Sequence, residues 1–448
     1  MGLAIVFVIF VFCVVYKDEI GSLISKLIKK FSKKNEDINN IEEVKKDNND
    51  KVIKEVKESP ETKIVEEPKE DVIEKKEYVK PSVNLLSKNK NSSKEDETQI
   101  TNNINIIKDI FNDEKINIDI KEVTHEVAFT YYQIELGKGT KVNDVVKMKH
   151  ELEVGLKTNN VEFLTPYPNK TTIGLGVPNK EKSNVTIREV IRAMNKDNNI
   201  SNSKIVTSLG KDMTGNIKYI DIEKSSHILV AGRSMSGKTT FLNNIIVSNL
   251  IRNNPEEVKL VLIDTAKNEF GIYDELPHLL SNSKKNNDAL NILKNLTVEI
   301  DHRYDILKNE NVNNIKKYNE KNKNVMPYIL VIIDEYSDTL FRFNEVKEYI
   351  SKILDSGSTC GINLILSTQD IGSINDDMNK KFGSKVIFDL VTKDESRFYL
   401  GVEDAEHLDG KGDLLYKNPS NEIIHVQASN ITLDEINKVV NFIKNENK

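Results

Sequence analysis

Hydrophobic positions are distributed along this chain in three different ways. The first fifteen residues, MGLAIVFVIFVFCVV, are apolar without a break, and the next stretch, YKDEIGSLISKLIKKFSKK, is amphipathic and basic. A bilayer span takes about 20 apolar residues, so the run is short for one. A signal peptide would carry positive charge before the apolar stretch and small residues after it, and neither is present. The expectation is a single-pass membrane anchor at 1–16. Lys17, Lys26, Lys29, Lys30, Lys33 and Lys34 would then hold the following chain on the cytoplasmic side. A buried core helix is the alternative, but a solvated segment follows directly.

From 17 to 100 the pattern dissolves. Lys, Glu, Asp and Asn dominate, with scattered Val and Ile and almost no aromatic residues. Such a segment buries too little apolar surface to offset its chain entropy, and a disordered linker is expected. Regular patterning then returns. INIIKDIFNDEKI has helical spacing, HEVAFTYYQIEL reads as a strand and KVNDVVKMKHELEVGL as an amphipathic helix. With VEFLTPYP, TTIGLGVPN and VTIREVIRAM these predict a small accessory α/β domain at 101–204. Beyond it, HILVAG, KLVLIDT, YILVIIDE, INLILSTQ and SKVIFDLV are short β-branched runs alternating with helical segments. That alternation predicts a parallel sheet covered on both faces, over 205–448.

Composition changes this picture little. The 448 residues allow two or three domains, 38% are hydrophobic, and the net charge is −6 from 64 basic and 70 acidic residues. That balance argues mildly against a nucleic-acid binder unless basic residues are concentrated locally. Cys13 and Cys360 are far apart and match no metal spacing, consistent with a reducing compartment.

One loop carries chemistry. In GRSMSGKTT, Gly232, Gly237, Lys238 and Thr239 fit the phosphate-binding pattern G-x-x-x-x-G-K-[ST], with a strand before and a helix after. Its nine residues, Gly232, Arg233, Ser234, Met235, Ser236, Gly237, Lys238, Thr239 and Thr240, are the candidate nucleotide site. Backbone N–H groups and the helix terminus would hold phosphate oxygens, Lys238 would reach the β/γ-phosphates, and Thr239 would ligate Mg2+. YILVIIDEYSD supplies the acids: Asp334 for the Mg2+ shell and Glu335 to polarise water. Gln369, ending INLILSTQ, is placed to sense the γ-phosphate. Dinucleotide binding would want G-x-G-x-x-G, which the loop lacks. The expected cofactors are therefore ATP and Mg2+, and the fold class is an α/β phosphate-loop domain preceded by a smaller α/β domain.

From about Ile104 onward the sequence resembles the FtsK/SpoIIIE family of membrane-anchored DNA translocases. The resemblance rests on ordered motifs. They are LGKDMTGNIKYIDIEKSSHILVAGRSMSGKTT, LIDTAKNEFGIYDELPHLL (Asp264, Glu269, Tyr273, Pro277, His278), VEIDHRYDILKNENVNNIKKYN, PYILVIIDEYSDTL, CGINLILSTQ, ESRFYLG and GKGDLLY. It implies a RecA-like motor, an ATP hydrolase working as a ring, expected to be a hexamer, around double-stranded DNA, with ATP between neighbouring subunits. Three departures stand out. Asp264-Thr265-Ala266 replaces D-P-K, with Lys267 one place later. Ser384-Lys385-Val386 replaces T-R-I, leaving Lys385 or Arg397 for a trans-acting role, although lysine lacks a planar fork. Thr368-Gln369-Asp370-Ile371 replaces T-Q-R-P. No winged-helix module follows the motor here, so orientation by DNA sequence is not expected from this chain.

Three functions compete. The first is a membrane-tethered double-stranded DNA pump, in chromosome segregation or plasmid and mobile-element transfer. The second is an ATPase driving protein export, which would usually carry tandem motors. The third is an ATP-binding membrane scaffold.

Overall fold

A computed structural model describes residues 78–88 and 94–447, with short breaks at 128, 159–160, 168–169, 180–183, 201, 266, 284 and 338–342. The expected anchor at 1–16 and most of the expected linker lie outside the described residues. Among the described residues, no helix is long and apolar enough to cross a membrane.

The accessory domain begins with helix α1 (Lys94–Asp113), ten residues ahead of the apolar pattern that announces it. Strands β1 (Ile118–His125) and β2 (Phe129–Leu136), helices α2 (Val142–Val146) and α3 (Lys149–Gly155), and strands β3 (Glu162–Leu164) and β4 (Ile173–Pro178) follow. The four strands form one antiparallel sheet in the order β1-β2-β4-β3. Ile107 and Phe111 of α1 and Leu152 of α3 pack with Tyr132, Ile134 and Leu175 of the sheet. A smaller cluster of Phe129, Tyr131 and Tyr167 meets Met213 of the motor.

Helix α4 (Ile187–Met194), which the sequence pattern groups with the accessory domain, packs elsewhere. Its buried Ile187, Val190, Ile191 and Met194 share a core with Val206, Leu209 and Ile220 of the motor's first hairpin. By packing, the boundary therefore falls near 180 and not at 204. The linker expectation is corrected at its other end. Residues 78–88 form a strap on the motor, with Leu86 inside the motor core, Ser87 N–H donating to Glu435 at 2.7 Å, and Lys80 on Glu257 at 3.3 Å.

The motor continues with β5 (Val206–Asp212), β6 (Ile217–Asp221), α5 (Ile222–Ser225), β7 (Ile228–Ala231), α6 (Lys238–Arg252), β8 (Val258–Ile263) and β9 (Leu279–Ser283). Then come α7 (Asn286–Asn309), α8 (Ile315–Lys321), β10 (Tyr328–Ile333), α9 (Val346–Ser356), β11 (Ile362–Thr368), α10 (Asp376–Lys381) and β12 (Ser384–Phe388). Helix α11 (Lys393–Leu400), β13 (Asp413–Lys417), β14 (Ile423–Ala428) and α12 (Leu433–Glu446) complete it.

Its ten strands are ordered β6-β5-β14-β13-β12-β7-β11-β10-β8-β9. The six from β12 to β9 are parallel, as the alternation with helices predicts, while β6, β5, β14 and β13 are antiparallel. The sheet is thus mixed, because the last two strands are joined by a short turn and need no crossover helix. Every residue of β7, β10, β11 and β12 is buried, as central strands covered on both faces require. Side chains alternate between the faces. Ile228 and Val230 join Phe241 and Ile245 of α6 on one side, and Leu229 and Ala231 join Leu293 and Ile300 of α7 and Ile350 of α9 on the other.

Candidate nucleotide site

The parallel order fixes where the chemistry falls. Strand β11 lies between β7 and β10, and all run the same way, so the loop after β7, Gln369 after β11, Asp334 after β10 and Asp264 after β8 meet at the carboxyl edge of the sheet. They line a cavity of about 360 Å3 together with Ser234, Met235, Gly237, Lys238, Thr239, Thr240, Lys267, Glu269 and Glu335.

The loop's shape depends on its glycines. Gly237 has φ of +122°, and a Cβ there would stand 3.1 Å from the Gly412 nitrogen. Gly412 in turn donates its N–H to the Ser236 carbonyl at 2.9 Å, and its own carbonyl accepts from Ala428 at 2.7 Å. The motif GKGDLLY therefore braces the phosphate loop through Gly412, immediately before β13. Asp413 is buried with His425 Nε2 at 2.8 Å.

Each expected residue can now be placed. Lys238 opens the fifteen-residue helix α6, is only 7% exposed, and folds its Nζ onto the carbonyls of Gly232 at 2.6 Å and Arg233 at 3.0 Å. Burial lowers its pKa, while the Glu335 and Asp334 carboxylates oppose that shift. Thr239 Oγ1 donates to Asp334 Oδ2 at 3.3 Å. Asp334 is buried, which raises its pKa, with nearby Asp264 adding to the rise. Glu335 adopts φ of +55°, and its Oε1 accepts from Ser337 Oγ at 2.5 Å and from the Gln369 backbone N–H at 3.2 Å. Gln369 thus contributes a backbone donor as well as a side chain lining the cavity.

Two expected residues offer no free side-chain donor to a phosphate. The Arg233 guanidinium pairs with buried Asp389, and the Met235 side chain at the loop's tip is almost fully exposed. Their contribution to a ligand would be through the backbone. The two trans-acting candidates differ sharply. Lys385 is buried in β12, its Nζ donating to the Tyr399 carbonyl at the end of α11 at 2.9 Å, with its pKa lowered to about 8 by burial and by Lys417. It is committed inside its own subunit. Arg397 lies exposed on α11, paired with Asp394 at 3.1 Å and with Glu403.

Three cavity residues were singled out in the sequence only as motif positions. Asp264 accepts the N–H groups of Lys267 at 2.9 Å and Glu269 at 2.6 Å, and this turn presents both side chains to the cavity. Burial and Asp334 raise the pKa of Glu269. The signal was available, since Asp264 ends an apolar run just as Asp334 does.

The arrangement fits a nucleoside triphosphate with a divalent cation. Glycines at positive φ, a helix N-terminus, a buried lysine and the buried Ser236 Oγ, which has no protein partner among the described residues, form a cradle for phosphate oxygens. Thr239 and Asp334, already paired, are a hard oxygen donor set suited to Mg2+.

Fold and site together define a RecA-like P-loop ATPase. Residues 186–373 match the FtsK/SpoIIIE family and residues 80–179 the FtsK alpha domain. The chain belongs to the FtsK/SpoIIIE family. It is 32% identical over 383 residues to DNA translocase FtsK of Clostridium tetani, covering 82% of this chain and 51% of the relative. It is 31% identical over 395 residues to DNA translocase FtsK of Bacillus cereus, covering 84% and 49%. The chain thus spans about half the length of the curated relatives it matches. Among solved structures it is similar to the pCW3 conjugation coupling protein TcpA, in its monomer form with ATPγS. That likeness has a TM-score of 0.51 at 18% identity, over 76% of this chain and 99% of that one, and concerns the fold.

Proposed function

We propose that this chain is the motor of an ATP-driven translocase for double-stranded DNA. It would work as a homo-oligomeric ring, a hexamer, tethered to the cytoplasmic face of the cell membrane through residues 1–16. The observation carrying the DNA assignment is the match to DNA translocases at 32% and 31% identity, over both domains rather than the phosphate loop alone. A protein-export ATPase is less well supported by these relatives.

In this reading the chain's own groups divide the work. The loop amides and Lys238 hold the β- and γ-phosphates, and Thr239 and Asp334 would hold Mg2+. That ion, when bound, supplies charge neutralisation on the phosphate oxygens. Glu335 accepts a proton from the attacking water, whose oxygen bonds to the γ-phosphorus as the bond to ADP breaks. Gln369 reports the γ-phosphate to the loop beyond β11. Arg397 is the residue we assign to the neighbouring subunit's nucleotide, because its charge is at the surface while that of Lys385 is internal. DNA contacts would go to phosphates, making translocation salt-sensitive and tolerant of sequence.

The test is the ATPase rate of the purified full-length chain with and without long double-stranded DNA, beside Lys238→Ala. Stimulation by DNA that disappears in the variant is expected. Absence of stimulation at low salt would overturn the DNA reading and bring protein export forward.

A further inference from the structure

We propose that Ser337 is a positioning residue for hydrolysis, holding the Glu335 carboxylate in its working orientation; this rests on the assignment of Glu335 as the water-activating group. Glu335 stands two residues past the end of buried β10, and its backbone turns to φ of +55°, outside the range of the strand. That turn separates its carboxylate from Asp334, which goes to Thr239. A glutamate side chain has three torsions, and a backbone turn alone leaves the carboxylate free to rotate. The fixing comes from two donors on one oxygen. Ser337 Oγ donates to Oε1 at 2.5 Å and the Gln369 N–H donates to the same atom at 3.2 Å. Neither bond uses Oε2, so one oxygen is pinned and the other stays available for water.

The two donors are unequal. The Gln369 amide bond is the longer of the two, and it comes from a separate segment, after β11. Ser337 is half-buried beside fully buried Tyr336 on the same segment as Glu335, so its hydroxyl keeps station with the carboxylate. Catalysis by a general base depends on the acceptor oxygen being held within hydrogen-bond reach of the water, and small misplacements are costly. Ser337 therefore acts on turnover through Glu335 without touching nucleotide, and it does not line the cavity.

The experiment compares wild type, Ser337→Ala, Ser337→Thr and Glu335→Gln in the full-length chain. Sites are counted by titration with a fluorescent ATP analogue, so that kcat is expressed per competent site. For Ser337→Ala we expect kcat to fall about tenfold, the loss of roughly one hydrogen bond to a charged group, with KM and analogue affinity unchanged. Ser337→Thr, which keeps the hydroxyl, should restore kcat, and adding Ser337→Ala to Glu335→Gln should cost nothing further. A wild-type kcat in Ser337→Ala would overturn the proposal, and so would failure of threonine to rescue. Wild-type turnover in Glu335→Gln would instead show that the assignment of Glu335 is wrong, and the proposal would fall with it.

Discussion

Thr239 Oγ1 stands 3.3 Å from Asp334 Oδ2 although 95 residues separate them in the chain. The hydroxyl sits in the first turn of α6 and the carboxylate just past β10, and between their strands runs β11. The insertion of that strand brings Gln369 to the same edge. The two oxygen ligands proposed for Mg2+ and a strand-end amide are thereby set by sheet order.

Thr239→Ala should consequently leave the fold intact and lower Mg2+-dependent ATP hydrolysis by at least about a hundredfold. Nucleotide affinity should fall in Mg2+ and stay near wild type in EDTA. Parallel titrations with a fluorescent analogue in the two buffers check this.

Asp334→Asn should raise stability in buffer free of nucleotide and Mg2+. Burial raises the carboxyl's folded-state pKa, so the folded chain keeps its proton to higher pH than the unfolded chain does. Stability is therefore lost as pH rises from the unfolded value near 3.9 through the folded one. Asparagine carries no such cost. A gain in stability at pH 7 is expected, vanishing as pH is lowered below about 4, and calorimetry across that range tests it.

Lys385→Met should flatten a different part of the pH profile. With a folded-state pKa lowered to about 8, Lys385 gives up its proton in the folded chain first. Between about pH 8 and the unfolded value near 10.4, the unfolded state binds more protons, and stability rises with pH. Urea denaturation at half-unit steps should show that rise in wild type and its absence in Lys385→Met.

Gly412→Ala should weaken both fold and site. At φ of +91°, with a new Cβ 3.0 Å from Gln427 Nε2, alanine is strained by about 1–2 kcal/mol. Because Gly412 anchors the Ser236 carbonyl, the loss should appear as weaker ATP binding as well as a lower Tm.

Leu86→Ala tests the strap. Leu86 is buried in the motor core from a segment 120 residues before β5, and truncation should cost about 2–4 kcal/mol by urea denaturation.

What the sequence made legible was local. The phosphate loop and Asp334 announce themselves by a glycine spacing and by five apolar residues ending in acid, features complete within a dozen positions. The parallel strands were readable because buried strands are continuous runs. β13 and β14 mix polar and apolar residues, so only the motif GKGDLLY, over β13, marks that part of the sheet. Lys385 was misleading by identity but not by position, since alternation along SKVIF puts it on the same face as buried Ile387. The strap was invisible for a better reason. YVKPSVNLLSK has no period, and its partners, Arg188, Glu257, Glu435 and Asn447, are supplied by the rest of the chain.

That strap decides where a mechanical load enters the molecule. Any chain upstream of Tyr78 joins the body at the motor's flank, where Tyr78 meets the His278 ring edge-on at 5.3 Å and Val79 exchanges hydrogen bonds with Asn447. The four-stranded sheet comes only afterwards. A pull from that side would therefore meet the last helix of the motor and Leu86 within its core before it reached the four-stranded sheet.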